Sequence, residues 1–261
     1  MTAFDRDSYS TPPDRPLAPL ARWCPWPRVS FYVPVAAIVW RSSREARSGV
    51  YDDARWVASS LGIVEAMEGV GMRLHVEGLD HVRRVEGPVV FVGNHMSTLE
   101  TFVLPGLLQP IKPITFVVKE SLVRVPVFGP IMRSRDPITV GRANPREDLA
   151  AVLRGGAERL ARGISVVVFP QTTRSSTFDP ARFNSIGVKL AVRAGVPVVP
   201  VALQTDAWGT GKWLKDFGPV DPSRPVRFRF GPPIRPEGRG TDAHRATVEF
   251  IQGALEEWAG G

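Results

Sequence analysis

His95 and Glu100 are the two residues of this chain whose types and spacing best suit proton transfer. They lie in the stretch Val89–Gln109, which opens with the apolar run Val89–Val92, breaks at Gly93 and Asn94, and then begins a new apolar pattern. A β-branched run followed by such a break reads as a buried strand ending in a turn, so His95 is expected at a strand-to-helix junction. Ser97 with Glu100 three positions on spells a capping box, in which the serine caps the helix and the glutamate points back toward its start. That brings a carboxylate within reach of His95. A neutral imidazole held in one tautomer by a carboxylate is a general base near neutral pH. The same residues also permit a plainer arrangement, with His95 only a turn residue and Glu100 only a cap.

Two arginines follow predicted strands in the same way. Arg142 comes just after Ile138–Val140, and Arg174 follows Phe169-Pro170-Gln171-Thr172-Thr173 at the end of a predicted strand, Ile164–Phe169. The carboxyl ends of parallel strands share one rim, so His95, Arg142 and Arg174 are expected to converge although they are far apart in sequence. An arginine fork grips a phosphate through paired bonds, and Thr172 and Thr173 would add hydroxyl donors. Taken singly, each arginine is equally a solvated surface charge.

The elements that must position these residues alternate. A helix is predicted over Tyr51–Val70, a strand over Arg73–Val76 with a turn at Gly78, and further strands at Ile114–Lys119 and Ile138–Val140. Asn144-Pro145-Arg146-Glu147 spells a helix start, with Gly163 closing that helix. Phe183–Ala194 reads as a helix, Val196–Leu203 as a strand whose prolines suggest an edge or irregular position, Val226–Phe230 as a half-exposed strand, and residues 242–258 as a final helix. Strand and helix in alternation from Val89 onward is the pattern of βαβ units. The expected fold is therefore α/β, a single domain with a central, mostly parallel mixed sheet flanked by helices, preceded by an N-terminal helical membrane-associating segment. By this reading residues 1–22, rich in proline and polar side chains, form a disordered tail, residues 23–70 the helical region and residues 71–261 the domain that carries the chemistry.

The 261 residues carry a formal charge of +7 and a pI near 10.1. Such a balance favours an anionic partner: a phosphate-bearing substrate, an anionic membrane surface or a nucleic acid. The single cysteine, Cys24, excludes an intramolecular disulfide and fits a reducing compartment. No secretory signal is visible at the N-terminus. The most membrane-like stretch, Val29–Trp40, contains Pro34 and falls short of the ~20 residues a spanning helix needs. Its aromatic anchors, Trp23, Trp26, Tyr32 and Trp40, with Arg28, Arg41, Arg44 and Arg47 beside them, suit a helix lying among lipid headgroups; packing against the domain would use the same apolar residues.

Several blocks together resemble the glycerolipid acyltransferases typified by lysophosphatidic acid acyltransferase. Asn94-His95 with Ser97 and Glu100 is similar to the family's first motif, N-H-x-S-x-x-D. Lys119-Glu120 follows a strand, Ile138-Thr139-Val140-Gly141-Arg142 corresponds to the second motif, Val168–Ser175 to the third, F-P-E-G-T-R-S, and Val196–Val201 to the fourth. The likeness spans about residues 70 to 235. It implies that His95 is the base removing a proton from a glycerol hydroxyl, which attacks an acyl thioester directly, and that Glu100 orients the histidine and stabilises its imidazolium. A thiol pKa near ~8.5 makes the leaving group undemanding, so a single base suffices. The resemblance also implies that Arg142 and Arg174, with Thr172, Thr173 and Lys119, bind the acceptor, and that donors near Gly141 or Thr172 serve the oxyanion. It implies a lysophospholipid acceptor and acyl-CoA or acyl carrier protein as co-substrate, with no cofactor, and a location on the cytoplasmic face of a membrane, peripheral or monotopic. Two positions depart from the pattern: Glu100 stands for aspartate, and Gln171-Thr172 for Glu-Gly.

Other classes find less support. A non-catalytic lipid- or anion-binding protein on the same fold would account for both departures, but His95 and Arg174 are retained. There is no Gly-x-Ser-x-Gly elbow for a hydrolase and no nucleic-acid-binding block. Gly209-Thr210-Gly211-Lys212 fails as a phosphate loop because Asp206 stands where the earlier glycine belongs and Trp213 follows the lysine. The histidines His75, His81, His95 and His244 have no metal-ligand spacing. Phe102, Val103, Leu104, Leu107 and Leu108 are candidates for an acyl groove, or for ordinary core packing.

Overall fold

The computed structural model describes residues 4, 6–24, 26–171, 173–211 and 216–260. The chain begins with a two-residue strand, β1 (Tyr9–Ser10), and the helices α1 (Pro19–Trp23), α2 (Pro27–Arg47) and α3 (Asp53–Gly69). Asp52 starts α3 by accepting from the Arg55 N–H at 2.9 Å. Then come β2 (Leu74–Glu77), α4 (Leu79–Arg84), β3 (Val90–Gly93), α5 (Leu99–Leu108), β4 (Ile114–Lys119), α6 (Phe128–Arg133), β5 (Ile138–Val140) and α7 (Pro145–Ala161). Asn144 caps α7 through its side-chain oxygen on the Arg146 N–H, 3.0 Å, with Pro145 at the first helical position. The remainder is β6 (Ser165–Val168), α8 (Ile186–Ala194), β7 (Val198–Gln204), β8 (Val226–Phe230) and α9 (Thr241–Gly260).

Among the described residues eight strands form one sheet in the order β1-β2-β8-β7-β3-β6-β4-β5. Strands β7, β3, β6, β4 and β5 run parallel, while β8 lies antiparallel to β7 and parallel to β2. The carboxyl ends of the five parallel strands therefore define one rim. Alternation along the central strands splits the core in two: Phe91, Val167 and Val199 share a cluster with Phe31, Met67 and Leu104 of α2, α3 and α5, whereas Val90, Val92, Val166 and Val168 share one with Val152, Leu190 and Ile251 of α7, α8 and α9. The α/β sheet, mostly parallel and helix-flanked, is as expected from the sequence.

Two expectations need correction. Strand β7 is not an edge; it lies between β8 and β3. Its prolines are accommodated because Pro197 precedes the strand, and because the Pro200 carbonyl meets the Gly231 N–H at 2.9 Å, one residue past the end of β8, so the donor that Pro200 lacks falls where the ladder stops. The described part of residues 1–22 is tied down rather than disordered. β1 pairs antiparallel with β2, Thr11 Oγ1 accepts from the Leu74 N–H at 2.8 Å and donates to Glu68 Oε1 at 2.7 Å, and Tyr9 donates to Glu68 at 2.6 Å. Burial, with the bond and charge of Glu68, pushes the Tyr9 phenol up to about 12, which keeps it a donor. α2 and α3 share the sheet's core through Phe31, Val35, Ile63 and Met67, the packing against the domain that the sequence left open for residues 23–70. None of the described helices is long and apolar enough to cross a membrane.

Candidate active site

The site is built where β3 ends. Asn94 continues that strand with its side chain: Nδ2 donates to the Leu203 carbonyl and the Leu203 N–H donates to Oδ1, both at 2.8 Å, in imitation of a backbone ladder to β7. The next residue, His95, is gripped by the loop after β6 on both sides of its backbone. Its N–H donates to Gln171 Oε1 at 2.6 Å and its carbonyl accepts from the Ser175 N–H at 2.9 Å. The imidazole lies flat against Phe169, ring centroids 4.5 Å apart and planes within 8°.

Glu100, in the first turn of α5, is fully buried and takes both functions that the sequence allowed. Its Oε1 accepts from His95 Nδ1 at 2.7 Å and from the Met96 and Ser97 N–H groups at 2.8 and 3.0 Å. Its Oε2 accepts from Ser97 Oγ at 3.0 Å and Thr205 Oγ1 at 2.5 Å. Burial alone would raise this carboxyl, but the bond and charge of His95 and the Thr205 hydroxyl outweigh it, and the group is held below the ordinary carboxylate range. An ionised acceptor at Nδ1 makes that nitrogen the protonated one, leaving the lone pair on Nε2. With 15% of its side chain exposed, His95 reaches solvent at the rim.

The other candidates are distributed around that rim. Arg174 is 20% exposed; Nη1 donates to Thr98 Oγ1, and Nη2 pairs with Asp216 at 2.7 Å. Arg142, two residues past β5, has a left-handed backbone at φ 60°. Asp148, in the first turn of α7, fixes that conformation by accepting from the Gly141 N–H at 2.9 Å and the Arg142 N–H at 3.0 Å. The Gly141 amide is thus already engaged by Asp148. Burial and the positive field of Arg174 hold the Arg142 guanidinium below its ordinary range, with Asp148 opposing; at any ordinary pH it stays charged. Lys119 ends β4 in register with Val140 and is exposed, on the same rim but with no bond to His95 or Glu100. Thr173 is exposed on the loop before Arg174. Thr172 lies outside the described residues.

Of the proposed acyl-groove residues, Val103, Leu104, Leu107 and Leu108 are buried in the core. Phe102 lines a cavity of about 30 Å³ between α2, α3, α5 and α6. Sequence reasoning missed Thr205 and Asp216 and gave no structural role to Gln171. Thr205 had a legible signal, a polar residue directly after an apolar strand whose carboxyl end meets the rim. Asp216 had none, since it sits in an irregular loop without periodicity.

A buried carboxylate thus orients a solvent-reaching imidazole at the rim of a parallel sheet, with two arginines on the same rim, and known proteins are similar to this chain in sequence and in fold. The family model described as Acyltransferase matches residues 73–204. This chain belongs to that acyltransferase family. As a member it is an O-acyltransferase. A 1-acyl-sn-glycerol-3-phosphate acyltransferase of Pseudomonas aeruginosa is 34% identical over 189 residues, which covers 72% of this chain and 68% of that one. The chloroplastic 1-acyl-sn-glycerol-3-phosphate acyltransferase BAT2 of Brassica napus is 33% identical over 52% of this chain, but only 38% of its own length is covered. Among solved structures, the 1-acyl-sn-glycerophosphate acyltransferase PlsC of Thermotoga maritima superposes with a TM-score of 0.66, at 21% identity, covering 89% of this chain and 95% of that one. That similarity shows the acyltransferase fold.

Proposed function

We propose that this acyltransferase moves a fatty acyl group from a thioester, acyl-CoA or acyl carrier protein, to the free hydroxyl of lysophosphatidic acid or a closely related phosphate-bearing acceptor, in phospholipid biosynthesis. The observation that carries this reading is the 2.7 Å bond from His95 Nδ1 to a buried, ionised Glu100, which leaves Nε2 as the basic nitrogen at the rim. Nε2 takes the proton of the acceptor hydroxyl as its oxygen bonds to the thioester carbonyl. The tetrahedral intermediate then expels the thiolate, and the imidazolium returns its proton to that thiolate. Glu100 stabilises the imidazolium, and the Phe169 ring lies parallel to it, giving a cation–π contact while the charge exists. Arg142 and Arg174 bind the acceptor phosphate, with Lys119, Thr172 and Thr173 contributing charge or hydroxyls at its margin. The reaction needs no cofactor beyond the thioester co-substrate.

The reading also includes an anionic membrane surface on the cytoplasmic side, met by α1 and α2. Val29, Val33 and Trp40, spaced along one side of α2, are 43%, 54% and 59% exposed, and Trp23 and Trp26 before it 89% and 67%. Apolar surface turned outward beside Arg28, Arg41, Arg44 and Arg47 suits a helix lying in the headgroup region.

The deciding experiment is thiol release from long-chain acyl-CoA and acyl carrier protein by purified protein, with a panel of lysophospholipids, comparing wild type with His95→Ala. Acceptor-dependent release that falls by about 10³-fold in His95→Ala is the expected outcome. Release that survives the substitution would remove His95 from the role of base, and absence of turnover with every pair would point to a lipid-binding protein instead.

A further inference from the structure

The arginine assigned to the acceptor phosphate already holds an anion supplied by the chain itself. Asp216 Oδ1 lies 2.7 Å from Arg174 Nη2 and accepts from Thr98 Oγ1 at 3.1 Å, while Thr98 also receives Arg174 Nη1. Carboxylate, hydroxyl and guanidinium thus close a three-membered cluster directly ahead of α5, the helix that carries Glu100. A carboxylate held by one arginine and one hydroxyl makes the contacts that an oxygen of a phosphate monoester would make at the same place. Arg174 is the less exposed partner, 20% against 52% for Asp216, so an anion arriving from solvent meets Asp216 before the guanidinium.

The backbone around Asp216 is held from several directions. Trp208 Nε1 donates to the Asp216 carbonyl at 3.1 Å. From α2, Arg28 donates to the Phe217 carbonyl at 3.3 Å and Tyr32 to the Gly218 carbonyl at 2.8 Å. Releasing the carboxylate from Arg174 therefore requires a side-chain rotation and leaves these backbone bonds in place.

We propose that Asp216 is a resident counter-ion of Arg174, displaced by the acceptor's phosphate, and that it thereby sets the affinity for the acceptor. This rests on Arg174 being a phosphate-binding residue. Competition by an internal anion raises the apparent KM for the acceptor without altering the proton transfer at His95. It also disfavours acceptors that lack a charge able to outcompete a carboxylate, which makes Asp216 a specificity-determining residue for the phosphate-bearing class.

The test is steady-state kinetics of Asp216→Asn, which removes the charge and keeps the shape, with Asp216→Ser as a second variant and inorganic phosphate as a lipid-free competitor. The expected result is a KM for lysophosphatidic acid lowered about five-fold at unchanged kcat, and a phosphate inhibition constant lowered by a similar factor, the size an ion pair of about 1 kcal/mol carries. A KM that rises in both variants would show that Asp216 orients Arg174 for binding, and a KM and phosphate inhibition that stay the same would show that it lies outside the acceptor's path; either overturns the proposal. Arg174→Ala in the same assay separates this failure from a deeper one. If that variant leaves KM and phosphate inhibition unchanged, Arg174 is not the phosphate ligand and the underlying reading fails with the proposal; if it raises both, only the counter-ion role of Asp216 is at stake.

Discussion

At His95 the side chain is oriented by Glu100 and the backbone by Gln171 and Ser175. Gln171 is one of the two departures from the family pattern, and its position explains why the amide is tolerated: only an acceptor oxygen is needed to take the His95 N–H at 2.6 Å. Gln171→Glu keeps such an oxygen and is expected to hold kcat within about two-fold, whereas Gln171→Ala leaves a part-buried N–H unmet and is expected to lower kcat about ten-fold, in line with roughly 1–3 kcal/mol for an unsatisfied donor. Steady-state rates of the two variants check this. Equal losses in both would mean that the amide nitrogen of Gln171 matters instead. Glu100 has a pH signature of its own. A carboxyl held below its unfolded value near 4.3 contributes stability that is fully present above that value and is lost as pH falls through the lower folded value. The gap in thermal midpoint between wild type and Glu100→Gln is therefore expected to be widest near neutrality and to shrink as pH falls below about 4; a constant gap from pH 3.5 to 7 would contradict a depressed carboxyl. His95 and Glu100 were legible because strand, break and capping box are local patterns. Thr205, which completes the carboxylate's set of donors, reaches it from 105 positions away, and no local pattern encodes that.

Among the elements, strands β4 and β5 and the cap of α7 were readable to the residue, since each is bounded by a local signal: a β-branched run, or Asn before Pro. Two misreadings share one cause. The prolines of β7 argued for an edge or an irregular position, of which the edge fails, and the polar start of the chain argued for disorder, yet each segment is settled by what it meets in the sheet. Gly78 is the converse case, a turn legible from sequence whose necessity is tertiary. Its φ is +79°, and a Cβ there would lie 2.1 Å from the Phe230 carbonyl oxygen at the end of β8. Gly78→Ala is expected to destabilise the protein by about 1–3 kcal/mol, lowering the thermal midpoint by several degrees. A midpoint within one degree of wild type would show that the β2–α4 turn can move away from β8.

For the molecule as a whole, the outward aromatic surface of α1 and α2 and the charge of +7 bear on where the reaction takes place. Replacing Trp23, Trp26 and Trp40 together by alanine is expected to weaken binding to anionic phospholipid vesicles at least about ten-fold, while turnover of a detergent-dispersed acceptor changes little. Co-sedimentation with vesicles measures the first and the thiol-release assay the second. Vesicle binding that survives the triple replacement would assign the contact to another face.

The order of the sheet also bears on how the chain is made. Among the described residues strand β2 joins the rest of the sheet through β8, which leaves the ribosome roughly 150 residues later, a delay on the order of ten seconds at ordinary elongation rates. The strands that carry His95, Arg142 and Arg174 can pair among themselves before then. The wing that holds β1 and β2 must wait for β8, so a nascent protein halted before Val226 would present β2, with Leu74 and Val76 on its apolar face, while its principal partner was still unmade. A chaperone acting on this protein during synthesis would find its substrate there, in the oldest part of the chain.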